Sequence, residues 1–263
     1  MTQATLPALG TFCWPELSTT DLEGARAFYG DLFGWKAREV PTAMGNYVIL
    51  SVEAREAAAF CAQGEDQRNM GIPPHWLSYI SVSDADAAVS KAKELGGQLL
   101  MGPFDVMEEG RMALLQDPTG ATFALWQARN HKGITAYQEP GALCWTELAT
   151  QDAKAAAAFY TKLLGWTAVP PKDPAMPYTE WTLEGAPFGG MMEISEYWGP
   201  AWREIPSHWM VYFQVKDVDD RAARATALGA NTRVPPQDIP GVGRFAVLED
   251  PQGAVFSIFQ GKP

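Results

Sequence analysis

The sequence is poor in positive charge, in cysteine and in long apolar runs. Twenty Lys and Arg face 31 Asp and Glu, a formal net charge of −11. The basic residues are scattered, so no cationic stripe is available to follow a phosphate backbone or an anionic bilayer. Neither nucleic acid nor a membrane is an expected partner. No apolar run approaches the roughly 20 residues that span a bilayer, and the opening MTQATLPALG lacks the basic-then-apolar build of a signal peptide. A cytoplasmic location is the resulting expectation. The three cysteines are an odd number without zinc-site spacing, so free thiols fit them better than a disulfide.

Aromatic residues, by contrast, are plentiful: 10 Trp, 12 Phe and 8 Tyr. Such rings bury large apolar areas, and they also suit a cavity for a flat ligand. The strongest signal is a repeat. Residues 10–35, GTFCWPELSTTDLEGARAFYGDLFGW, return as 141–166, GALCWTELATQDAKAAAAFYTKLLGW, with 14 of 26 positions identical. A duplicated architecture is the reading. It divides the chain into a first domain at 8–128, a linker at 129–140 and a second domain at 141–261.

Each half carries the same order of elements. Residues 10–17 alternate as a strand, with Phe12, Trp14 and Glu16 expected on one face. Thr20-x-x-Glu23 reads as a capping box, and Leu22, Ala25, Phe28/Tyr29 and Leu32 recur at helical spacing up to Gly34. Strands are expected at 46–53 and 57–63, then a loop at 64–74. A second unit opens at His75, has a helix capped by Asp84, and ends in strands at 98–101, 111–116 and 122–127. The second half repeats this through His208, Asp217 and Leu228-Gly229. Gly110-Arg111 matches Gly243-Arg244, and Asp117-Pro118-x-Gly120 matches Asp250-Pro251-x-Gly253. Both Asp-Pro-x-Gly stretches read as turns between strands.

Four βαβββ units, two helices carrying Phe-Tyr and ending Leu-x-Gly-Trp, and two closing Asp-Pro-x-Gly turns resemble the vicinal oxygen chelate superfamily. That superfamily includes glyoxalase I, bleomycin-resistance proteins and extradiol dioxygenases. The resemblance implies an α+β fold of two tandem glyoxalase-like domains, each curling mixed sheets around a cup. It also implies a divalent ion held by His, Gln or Glu. Here the ligand positions that the resemblance designates carry Trp14, Leu77 and Ala124, and in the second half Trp145, Met210 and Ser257. None offers the N or O donor such an ion prefers, except the weak hydroxyl of Ser257. No metal and no other cofactor is therefore expected in the usual place.

What remains on the inward face is Glu16 with His75, and Glu147 with His208, as candidate acid–base pairs or as ligands of a displaced ion. Alternatively, Glu16 pairs with Arg111 or a rim amide, and His75 simply bonds to its loop. Trp14, Tyr79, Arg111 and Trp126, with Trp145, Met210, Tyr212 and Arg244, are the candidate ligand-binding residues. Three functions stay open. The first is an aromatic cup for a small organic molecule. The second is a metal-dependent lyase, isomerase or dioxygenase at a displaced site. The third is a non-catalytic scaffold with cups plugged by Trp14 and Trp145. Either a monomer or a homodimer fits the sequence.

Overall fold

The structure, a computed structural model, describes residues 7–42, 45–171, 178–194 and 204–262. The first half runs β1 Phe12–Thr19, α1 Leu22–Phe33, β2 Lys36–Thr42, β3 Gly45–Val52, β4 Arg55–Ala62, α2 Glu65–Asn69, β5 His75–Ser81, α3 Ala85–Glu94, β6 Gln98–Val106, β7 Gly110–Gln116 and β8 Thr122–Ala128. The second runs β9 Leu143–Thr150, α4 Ala153–Leu164, β10 Thr167–Val169, β11 Tyr178–Leu183, β12 Ala186–Glu193, β13 His208–Gln214, α5 Val218–Ala227, β14 Asn231–Ile239, β15 Gly243–Glu249 and β16 Val255–Gly261. Each half makes one eight-stranded mixed sheet, in the orders β2-β3-β4-β1-β5-β8-β7-β6 and β10-β11-β12-β9-β13-β16-β15-β14. The fold is α+β, built from four βαβββ units. The two opening strands of each half, β1 with β5 and β9 with β13, pair antiparallel at the centre.

Local chemistry explains most boundaries. The first helix is capped by Asp21, whose carboxylate accepts from Gly24 N at 3.0 Å, and not by Thr20 as the capping-box pattern suggested. Asp84, Asp152 and Asp217 cap α3, α4 and α5 in the same way. Gly34 and Gly165 end their helices in the left-handed region, where a Cβ is unfavourable. Strand β2 escaped the sequence reading because KAREVPT is a polar, mostly exposed edge with no apolar alternation. The loop at 64–74 holds one short helical turn, α2.

A register shift between Phe12 and Trp14 breaks the alternation expected for β1. Phe12 therefore does not share the cup face. Its ring turns to the other half, 5.7 Å from Trp166, 6.1 Å from Phe188 and 4.9 Å from Trp209. The helix faces of the two sheets meet in a shared aromatic core. Trp35 Nε1 donates to the Gly141 carbonyl at 2.7 Å, and Trp166 Nε1 donates reciprocally to the Gly10 carbonyl.

Two matched relays cross the same seam. Trp76 Nε1 donates to the Tyr29 hydroxyl at 3.1 Å, and that hydroxyl donates to Asp250 Oδ2 at 3.0 Å. Trp209, Tyr160 and Asp117 repeat the arrangement at 2.9 Å for each step. The Asp of each Asp-Pro-x-Gly turn thus bonds to the opposite domain. Its sequence role as a turn former shows only half of what it does.

Candidate functional site

With the helices on one side, the opposite face of each sheet curves around a cup. In the first cup Glu16 sits at the floor: Oε2 accepts from the Tyr47 hydroxyl at 2.6 Å, and Oε1 accepts from Tyr79 at 3.0 Å and from the Cys61 thiol at 3.6 Å. Trp14 Nε1 donates to the Tyr47 oxygen at 2.8 Å. An indole is only a donor, so the Tyr47 proton is left free to point at Glu16. The second cup repeats the chain. Trp145 Nε1 donates to the Tyr178 oxygen at 2.7 Å, Tyr178 bonds to Glu147, and Tyr212 donates to Glu147 Oε1 at 2.9 Å.

Burial pushes the carboxyls of Glu16 and Glu147 above the ordinary glutamate range, and their tyrosine partners pull part of the way back. Burial, reinforced by the adjacent carboxylates, holds Tyr47, Tyr79, Tyr178 and Tyr212 well above an ordinary phenol, so all four remain donors. By accessible surface both glutamates are only partly buried.

A folded-state pKa above the unfolded value of about 4.3 means that the native protein holds more protons across that interval, and stability falls as pH rises through it. Glu16→Gln combined with Glu147→Gln is expected to flatten this dependence, so the variant gains thermal stability over the wild type between pH 4 and pH 8. Melting temperatures that change in parallel for both proteins would reject the assignment.

The histidines stand apart from the carboxylates. Nδ1 of His75 lies 2.9 Å from the Pro73 carbonyl, and Nδ1 of His208 lies 2.9 Å from the Pro206 carbonyl. Each ring is therefore tied to its own loop at the cup rim, the bland alternative for His75. Burial lowers the pKa of His208 and keeps it neutral. Neither histidine hydrogen-bonds to Glu16 or Glu147.

Arg111 and Arg244 do not line the cups. Arg111 makes a forked ion pair with Asp86 on α3 at 2.7 and 2.9 Å and reaches Asp105 at 3.0 Å. Arg244 repeats this with Asp219 and Asp238. In both pairs it is the preceding glycine that shapes the cup: a Cβ on Gly110 would stand 2.4 Å from the Trp126 ring, and one on Gly243 2.7 Å from the Phe259 ring. Tyr47, Cys61 and Tyr178 were missed. Tyr47 and Tyr178 are separated by the same 131 residues as the duplicated opening stretch, and that spacing was the available signal.

The cups differ in cover. The linker folds back over the first one, where His131 packs edge-on against Trp14 at 4.4 Å and lies 6.0 Å from Trp126. Its Nε2 is 3.3 Å from Glu56, and its carbonyl accepts from Trp126 Nε1. Trp14, Leu77 and Trp126 are buried. Their counterparts Trp145, Met210 and Phe259 remain partly exposed. Two shallow depressions of ≈320 and ≈280 Å³ lie away from both cups, along Leu9 and Ser81–Ser83.

Cross-strand register allows a direct test for a metal. One row across the first cup holds Trp14, Tyr79 and Ala124; the next holds Glu16 and Leu77. In the second cup the rows hold Trp145, Tyr212 and Ser257, then Glu147 and Met210. Each cup thus presents one carboxylate where a catalytic ion needs about three protein ligands. Glu193, at the end of β12, is engaged elsewhere and accepts from Ala153 N at the start of α4. Among the described residues, no group of three or more His, Cys, Asp or Glu is placed to hold a metal ion. The residues present do not fit the ion.

Residues 11–125 match the family described as the glyoxalase/bleomycin resistance protein/dioxygenase superfamily, and residues 145–259 match a glyoxalase-like domain. A Mycobacterium tuberculosis protein named "Putative glyoxylase CFP32" is 42% identical over 97% of this chain and 96% of its own. The anthracycline biosynthesis protein DnrV of Streptomyces peucetius is 33% identical over 96% and 94%. In fold, the chain is similar to a Mn(II)-bound glyoxalase from Novosphingobium aromaticivorans, with a TM-score of 0.65 at 13% identity over 96% of this chain and 82% of that one. The 2,3-dioxygenase LapB from Pseudomonas sp. KL28 gives 0.64 at 15% identity over 98% and 94%. The chain belongs to the glyoxalase/bleomycin resistance protein/dioxygenase superfamily, the vicinal oxygen chelate fold, as a tandem two-domain member.

No helix among the described residues is long and apolar enough to cross a membrane.

Proposed function

We propose that the protein binds a small, flat organic molecule in the cup of its second domain, without a metal at the position its relatives in fold use. The observation that carries this reading is the contrast between the cups. Trp145, Met210 and Phe259 stay partly exposed around Glu147, whereas Trp14, Leu77 and Trp126 of the first domain are buried, the two indoles against His131. Exposed aromatic surface inside a concavity favours a ring that stacks on it. That a relative is named for anthracycline biosynthesis accords with a planar ligand. The first domain, on this reading, serves as the packed partner of the second.

The neutral fluorescent probe N-phenyl-1-naphthylamine tests the assignment. Trp145→Ala is expected to weaken its binding about 10-fold, the loss of one aromatic contact, while Trp14→Ala leaves the affinity within about 2-fold. Equal effects of the two substitutions would remove the second cup from its assigned role. Near-stoichiometric manganese, iron, nickel or zinc in protein purified without chelator would overturn the metal-free reading.

A further inference from the structure

The donors and acceptors of the second cup do not balance. Trp145 Nε1 is spent on Tyr178, and the hydroxyls of Tyr178 and Tyr212 are spent on Glu147. His208 is neutral and directs Nδ1 at Pro206, which leaves Nε2 with only a lone pair. An ionised carboxylate offers about four lone-pair positions, and two of them at Glu147 are filled. Among the described residues the floor therefore shows a ligand unused acceptor capacity on a carboxyl group, which in its ionised form carries a negative charge. Among the described residues no basic side chain bonds to Glu147, and Arg244 is engaged by Asp219 and Asp238.

The first cup differs at one telling position. There Cys61 gives Glu16 a third donor. Strand pairing puts Met192 at the equivalent place in the second cup, since Cys61 pairs with Ser18 and Met192 with Ala149. Methionine has no proton to give, so Glu147 has one partner fewer than Glu16.

We propose that the second cup is a recognition site for an aromatic amine in its protonated form, with the ring against Trp145 and Phe259 and the ammonium on Glu147. This rests on the small-molecule reading above and narrows its ligand class. An ammonium supplies up to three N–H donors to the unfilled positions, and its charge is favoured both by the carboxylate and by the faces of Trp145 and Tyr178. A carboxylate or phosphate ligand meets like charge and no donor. The cup thus selects against anionic substrates.

Benzylamine, benzyl alcohol and benzoate share one ring and differ in charge. Each is titrated into the full-length protein at pH 8, following the Trp145 indole N–H signal in ¹H–¹⁵N spectra. Benzylamine is expected to bind about 10-fold more tightly than benzyl alcohol, in line with a hydrogen bond to a charged group, and benzoate is expected to leave the signal unmoved. Glu147→Gln should abolish the amine's advantage and leave alcohol binding unchanged, while Glu16→Gln should preserve both. The ligand series on the unsubstituted protein stands even where a variant fails to fold. Alcohol binding as tight as amine binding, or binding of benzoate, overturns the amine assignment while the aromatic cup survives. Absence of any shift with all three ligands overturns both.

Discussion

Asp250→Ala is expected to destabilise the protein by about 3 kcal/mol, with a fall in melting temperature of roughly 6–12 °C for a chain of this size. One oxygen of this carboxylate accepts the backbone N–H groups of Gln252, Gly253 and Ala254 at 2.9, 2.8 and 2.9 Å, and the other accepts the Tyr29 hydroxyl from the opposite domain. Gly253 N also bonds to the Asp250 backbone carbonyl, which alanine keeps, but Gln252 N, Ala254 N and the Tyr29 hydroxyl lose their acceptor, and a buried donor left unpaired costs more than the net value of its bond. Tyr29→Phe keeps the three backbone bonds of the turn but leaves Trp76 Nε1 without its acceptor and Asp250 Oδ2 without its donor, and should cost about 2 kcal/mol. Asp117→Ala should match Asp250→Ala, because Asp117 holds Thr119, Ala121 and Tyr160 in the mirrored place. Differential scanning calorimetry decides the matter: an Asp250→Ala shift no larger than that of Tyr29→Phe would mean that the turn does not need its acceptor.

A loss of about 3–5 kcal/mol is expected for Trp166→Ala, the usual range for removing a fully buried Trp. Trp166 is 1% exposed and meets Phe12, Tyr160, Trp181, Phe188 and Trp209. Phe12 belongs to the first domain and Trp166 to the second, so their contact couples the two. The unsubstituted protein and the variant should each melt in one transition, with the variant's midpoint lower. Two resolved transitions in the unsubstituted protein would show that the seam does not tie the domains together.

The repeat made much of this architecture legible. Leu22, Ala25, Phe28 and Leu32 at helical spacing, Gly34 at the stop and the Asp caps act on their own neighbours within a few residues, so the sequence displays them directly. Trp14, Glu16, Tyr79 and Trp126, and their mates Trp145, Glu147 and Tyr212, do line the cups. Arg111 and Arg244 do not, because the acidic partners that claim them, Asp86 and Asp219, lie 25 residues away on helices. The Phe12 face failed for a local reason, a one-residue register shift that alternation does not anticipate.

By itself the sequence determined the duplication, the four βαβββ units and the excess of acid, since all of these depend on residue type and short-range order. Only the tertiary structure decided which groups meet. Tyr47 comes to Glu16 across 31 residues, Tyr29 to Asp250 across 221, and His131 leaves the linker to cover one cup and not the other. Such pairings arise from sheet curvature and from the packing of two domains face to face, and hydrogen bonds between distant side chains leave no periodic trace along the chain.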